Sequence, residues 1–190
     1  MREPYSGPTP GTTCDRGSRP EKIQGRAPAS DLGNGRTALG YYCNARQISH
    51  VGKSGGYRVE RYVDKAGHEC AYWDSTLLYP TSAADEGFQG PGTYVMDMKD
   101  PAHPRYTATL RTPAMQSPHE SLRLNVKRGL LVADMGYPTT NPGFLDIYDV
   151  TKDCRTPVLL STLPTGILGH EGGFSPDGKL STSPRSTPTR

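Results

Sequence analysis

The chain has 190 residues, room for one domain with an extra arm, and only 33% are hydrophobic, below the roughly 45–50% apolar content (glycine included) of an ordinary globular domain. Its 22 Gly and 18 Pro exclude an architecture of long helices, and no run approaches the ~18 apolar residues of a membrane span. A net charge of +3 with both signs interleaved excludes the one-sided basic face of a nucleic-acid binder.

Residues 1–40 hold seven Gly and five Pro with almost no apolar clustering, and read as an irregular arm without a core of its own. The Met1 end shows no apolar stretch of a secretory signal. From residue 41 the character changes. Residues 46–51 read as a short strand and Gly52-Lys53-Ser54-Gly55-Gly56 as a turn. Residues 57–63 follow as a strand with Tyr57, Val59 and Val63 on one face. The run Gly52–Gly56 spells G-x-S-x-G, but a nucleophile elbow needs a helix after the serine and here a strand pattern follows. It also fails as a phosphate loop, since Gln47 stands where the first glycine belongs.

His68-Glu69, His119-Glu120 and His170-Glu171 then repeat one dipeptide at positions 68, 119 and 170, a constant spacing of 51. That period fits one propeller blade per repeat. The first copy reads as strands at 68–73, 77–79, 92–98 and 106–110. The second reads as strands at 119–124, 130–133, 143–150 and 158–163. The pairs Asp97/Asp149 and Met98/Val150 lie 52 apart and Leu110/Leu163 lie 53 apart, so the register drifts only at turns. The third copy begins at His170 and has a hairpin signal at Ser175-Pro176-Asp177-Gly178. Beyond Leu180 it loses all alternation.

The expected fold is therefore all-β: a partial β-propeller of about two four-stranded blades and the start of a third. The expected division is an arm at 1–40, repeats near 68–118, 119–169 and 170–183 within 41–183, and a disordered tail at 184–190. Two blades and a fragment fall short of the about 4–8 blades of a closed propeller. A truncated chain, with or without independent function, is the expectation.

The dipeptides are not a zinc-protease motif, because Tyr72, Arg123 and Phe174 stand where its second histidine is required. Two readings remain. His68, Glu69, His119, Glu120, His170 and Glu171 would converge at a channel mouth and hold a divalent transition metal such as Zn, Cu or Fe. Alternatively their side chains bond backbone groups at the blade junction and repeat because the junction repeats. An identical position in every blade favours packing, since an active site breaks symmetry. Asp97, Asp100, Asp149 and Asp153 sit where aspartate bonds turn amides. The four cysteines, Cys14, Cys43, Cys70 and Cys154, form no C-x-x-C pair and leave three disulfide connectivities open.

With these stretches in place, the chain resembles the LVIVD-repeat β-propeller family, in particular its exported actinobacterial type. The likeness rests on Gly40-Tyr-Tyr-Cys-Asn44, Gly67-His-Glu-Cys-Ala71, Thr112-Pro-Ala-Met115, Pro118-His-Glu-Ser-Leu122, Asp146-Ile-Tyr-Asp-Val150 with Asp153-Cys-Arg155, and residues 169–178. It implies a secreted or cell-surface protein whose activity is undefined. The expected function is that of a non-enzymatic binding scaffold for a protein or cell-surface partner. The metal-dependent propeller, an oxidoreductase or hydrolase, is the alternative. Export would favour oxidised cysteines.

Overall fold

The computed structural model describes residues 13–21, 27–52, 56–74, 92–134, 143–166 and 169–182. The chain forms two compact units, Met1–Ile48 and Ser49–Arg190. The first is held by the Cys14–Cys43 disulfide and an antiparallel bridge between Arg19 and Tyr42. It carries one short helix, α1 (Ala29–Gly33), followed by a 3-10 turn at Arg36–Leu39. Asp31 is buried there, accepting from the Tyr41 hydroxyl at 2.7 Å and facing Arg36 Nε at 3.2 Å. The expected strand at 46–51 is not formed: residues 45–52 have no regular structure, and among the described residues no strand pairs with them.

The second unit is built of antiparallel β-structure. Strands β1 (Val59–Val63), β2 (Glu69–Asp74), β3 (Thr93–Asp97) and β4 (Arg105–Leu110) form a four-stranded sheet in sequence order. Strands β5 (Arg123–Asn125), β6 (Leu130–Asp134), β7 (Phe144–Asp149) and β8 (Val158–Pro164) form a second sheet of the same order. Strands β9 (Gly173–Phe174) and β10 (Ser181–Thr182) form a hairpin. The β-branched and aromatic content of these segments suits a half-buried pleated surface.

Turn chemistry sets the strand ends. Asp97, Asp100, Asp149 and Asp153 each accept the amide two residues on, from Lys99, Ala102, Thr151 and Arg155, as expected of aspartate at these sites. Gly129 closes the β5–β6 turn at φ +62°, a left-handed conformation that glycine adopts without penalty.

The sheets match in detail. In the first, Val95 faces Ala108 and Thr93 faces Leu110; in the second, Ile147 faces Ser161 and Leu145 faces Leu163. A bulge follows Val95 in one and Ile147 in the other. β1 lies beside β5, and β5 beside β9.

The core fills the space between the two sheets. Tyr62, Cys70, Tyr72, Val95 and Leu110 come from the first sheet, and Leu131, Ala133 and Tyr148 from the second. Ala114, Met115 and Leu122, from the segment joining the sheets, and Val150 and Cys154, from the β7–β8 connection, complete it. Each large side chain so buried contributes roughly 1.5–3 kcal/mol. Two buried hydroxyls are tied in: that of Tyr72 donates to the Cys154 carbonyl at 2.8 Å and that of Thr93 to the Met115 carbonyl at 2.9 Å.

In β1, Val59 and Val63 share the exposed face and Tyr62 turns inward to meet the second sheet. Two expectations about strands change. Residues 69–74 are the second strand of their sheet, not the first. Residues 119–121 are a 3-10 turn, with the strand starting only at Arg123. The expected strand at 77–79 and the tail at 184–190 lie outside the described residues.

Candidate functional site

The three His-Glu dipeptides occupy two kinds of place. His119-Glu120 and His170-Glu171 each lead into the first strand of their sheet, β5 and β9. His68 instead closes the turn after β1, and Glu69 opens β2. Among the described residues, no three of these six groups bring ligand atoms within 4.8 Å of one another.

His68 is part of a junction between the sheets. The buried Asp64 carboxylate accepts the amides of Ala66 at 2.9 Å and His68 at 3.0 Å through Oδ1. Its Oδ2 meets His68 Nδ1 at 2.9 Å and accepts the amide of Cys154, from the second sheet, at 3.0 Å. Burial alone would raise the Asp64 pKa, but the Cys154 amide, the His68 ring and the turn amides outweigh it and hold it below the ordinary aspartate value. Asp153 Oδ1 lies 3.7 Å from His68 Nδ1. Asp153 also receives the Arg155 side chain at 2.8 and 2.7 Å, which brings its pKa down to about 2. The Cys70–Cys154 disulfide crosses the same junction.

Asp64, His68 and Asp153 form the only trio of possible metal ligands within 4.8 Å among the described residues. Their chemistry does not fit a cation site. Asp64 is already bonded by three amides and an imidazole, and Asp153 is forked by a guanidinium. An ion would have to displace these donors, so the trio works as a clamp between the β1–β2 and β7–β8 turns.

His119 sits at the opposite end of the sheets. It is buried, with φ +45°, a conformation uncommon outside glycine that calls for support from its surroundings. The support is visible: its ring stacks on Tyr57 at 4.5 Å and its Nε2 lies 3.2 Å from Ser117 Oγ. Burial lowers its pKa, Glu120 opposes that, and His170 adds to it. The Ser121 hydroxyl lies between the carbonyls of Pro118 and Asp134, fixing the turn that carries His119. Glu120 keeps one carboxylate oxygen, Oε2, buried without a hydrogen bond among the described residues.

The remaining members pair with arginines. Glu69 Oε1 meets Arg61 Nε at 2.6 Å across β1 and β2. Glu171 Oε1 meets Arg123 Nη2 at 2.9 Å, linking the hairpin's lead-in to β5. His170 is exposed. Sequence reading did not single out Tyr57, Asp64, Ser117 or Arg155 as partners. The one available signal was the Asx turn opener, Asp64 in one sheet and Asn125 in the other, each accepting an amide of its own turn through Oδ1. Ser54 of the G-x-S-x-G run lies outside the described residues, and the next described element is β1 and not a helix.

Neither a protein-family model nor a curated protein matches the chain. No helix among the described residues is long and apolar enough to cross a membrane. Two disulfides suit an oxidising environment of extracellular type.

Proposed function

We propose that the chain is an exported propeller-type repeat module of the LVIVD-repeat kind, serving as a non-enzymatic scaffold that presents its sheet ends and loops to a protein or cell-surface partner. Support for the repeat comes from two stacked meanders with the same strand order and the same bulge after the third-strand residues Val95 and Ile147. Contact of β1 with β5 and of β5 with β9 supports the same reading, since a propeller sets the innermost strands of successive blades side by side. The observation that carries the functional reading is how the His-Glu groups are used. His68, Glu69, His119 and Glu171 are engaged with Asp64, Arg61, Tyr57 with Ser117, and Arg123 respectively. Groups committed to holding sheets and turns together are not poised for catalysis.

Metal loading tests this reading against the metal-dependent alternative. The purified chain is incubated with Zn²⁺, Cu²⁺ or Fe²⁺, desalted and measured by elemental analysis, beside His68→Ala and His119→Ala. The expected result is far less than one ion per chain in all three proteins and lowered melting temperatures in both variants. One tightly held ion per wild-type chain, lost in a variant that melts normally, would overturn the scaffold reading.

A further inference from the structure

The two disulfides close units of different construction. Every residue of the hydrophobic core belongs to the second unit. In the first unit Asp31 is the one buried residue among those described, and Leu32, Leu39 and Ile48 are 65%, 59% and 57% exposed. These apolar side chains lie at its surface instead of packing on one another. A unit of fewer than about 70–80 residues rarely holds its fold on a core alone and uses a staple such as a disulfide.

The contacts that order the first unit gather beside the Cys14–Cys43 bond. Arg19 and Tyr42 exchange amide-to-carbonyl hydrogen bonds at 2.9 and 2.8 Å. Asn44 Oδ1 accepts the Asp15 amide at 2.6 Å, and its Nδ2 donates to the Thr13 carbonyl at 3.1 Å. The Tyr42 hydroxyl donates to the Gly17 carbonyl at 3.2 Å, and Arg19 Nη1 to that of Leu39 at 3.1 Å. These side-chain bonds are all solvent-exposed, and each trades a bond to water for one to protein with little net gain. What returns residues 13–19 to residues 42–44 is chiefly the disulfide. It spans a separation of 29 residues and removes the corresponding loop entropy from the unfolded chain.

Cys14 and Cys43 are half-buried, whereas Cys70 and Cys154 are 0% exposed in the core shared by the sheets. We propose that Cys14–Cys43 is a thiol-exchange switch: a dithiol reductant opens it and releases the first unit from its fold, while the stacked sheets stay intact. One thiolate of the reductant attacks a sulfur of the bond, forming a mixed disulfide and expelling the other cysteine as a thiolate. The second thiol of the reductant then attacks the mixed disulfide, and the reductant leaves as its own disulfide. Two electrons and two protons pass from the reductant to Cys14 and Cys43. A disulfide-bearing oxidant reverses the exchange. The switch uses none of the His-Glu groups and stands apart from the scaffold reading.

The test uses the full chain, with dithiothreitol as the dithiol and no denaturant. Free thiols are trapped with iodoacetamide and located by peptide mapping, and hydrogen exchange is followed on the same samples. With Cys14 and Cys43 trapped and Cys70–Cys154 intact, the amides of Arg19, Asn34 and Tyr42 should exchange at least about tenfold faster than in the oxidised chain. Those of β2, β3, β6 and β7 should keep their rates. Oxidised glutathione in place of iodoacetamide should restore the slow exchange. The double variant Cys14→Ser/Cys43→Ser should match the trapped chain, which separates loss of the bond from the bulk of the alkyl groups. Equal exchange of the three amides in oxidised chain, trapped chain and double variant would show that the bond does not hold this fold, and would overturn the proposal. So would a Cys14–Cys43 bond that dithiothreitol leaves intact or opens only after Cys70–Cys154, or lost protection of the sheets in the double variant.

Discussion

His119 shows how much of one residue's role depends on what surrounds it. The sequence placed it among three equal His-Glu dipeptides, yet it alone is buried, stacked on Tyr57 and held in a left-handed conformation. Its lowered pKa has a definite thermodynamic sign. The unfolded chain takes up a proton near the ordinary histidine value of about 6.5, and the folded chain does so only at lower pH. Stability is thus unaffected by this group above about pH 6.5 and declines as the pH falls below it. His119→Asn, a residue that tolerates the left-handed region, should flatten the dependence of melting temperature on pH between about 5 and 7. An unchanged slope would show that another group titrates there. The Asp153 carboxylate acts in a lower window: its contribution is complete above about pH 4 and is lost as the pH falls through about 2.

At the scale of elements, legibility in the sequence divided along a physical line. β3, β4, β6, β7 and β8 lie within a residue or two of the strands expected at 92–98, 106–110, 130–133, 143–150 and 158–163. Alternation and turn chemistry are local, so they can be read from the chain. The first strands were not legible in the same way. Alternation at 68–73 marks a strand but says nothing of its neighbours, and β2 takes the second place because β1 pairs with it from the other side. Residues 119–121 look extended in sequence, but their 3-10 turn is held by contacts with distant residues, Ser121 with the Asp134 carbonyl and His119 with Tyr57. The constant spacing of the dipeptides therefore did not reveal that His68 follows a first strand while His119 precedes one. In the β5–β6 turn Gly129 is tightly constrained: a Cβ there would approach Thr151 Cγ2 to 2.2 Å and the Tyr62 hydroxyl to 2.8 Å. Gly129→Ala should lower stability by more than about 1 kcal/mol, from the left-handed backbone and the clash together. A urea melt reads this, with Gly33→Ala, where a Cβ meets nothing within 4 Å, as the control.

For the molecule as a whole, the two disulfides have different duties. Cys14–Cys43 is half-exposed within the first unit, whereas Cys70 and Cys154 are fully buried and join the two sheets across 84 residues of chain. A mild phosphine without denaturant should reduce and expose Cys14 and Cys43 to alkylation first, with Cys70 and Cys154 following only in urea; the reverse order would mean that the sheet junction opens readily. Removing Cys70–Cys154 by paired alanine substitutions should cost about 2–5 kcal/mol. The junction at one end, with Asp64, His68, Asp153 and the disulfide, and that at the other, with Tyr57, Ser117 and His119, together make the stacked sheets one structural unit. Native-state hydrogen exchange on the oxidised chain tests that unity most directly. The amides of β2, β3, β6 and β7 should exchange with a common opening free energy that falls for both sheets in His68→Ala. Slow exchange in one sheet beside independent, fast exchange in the other would contradict the account.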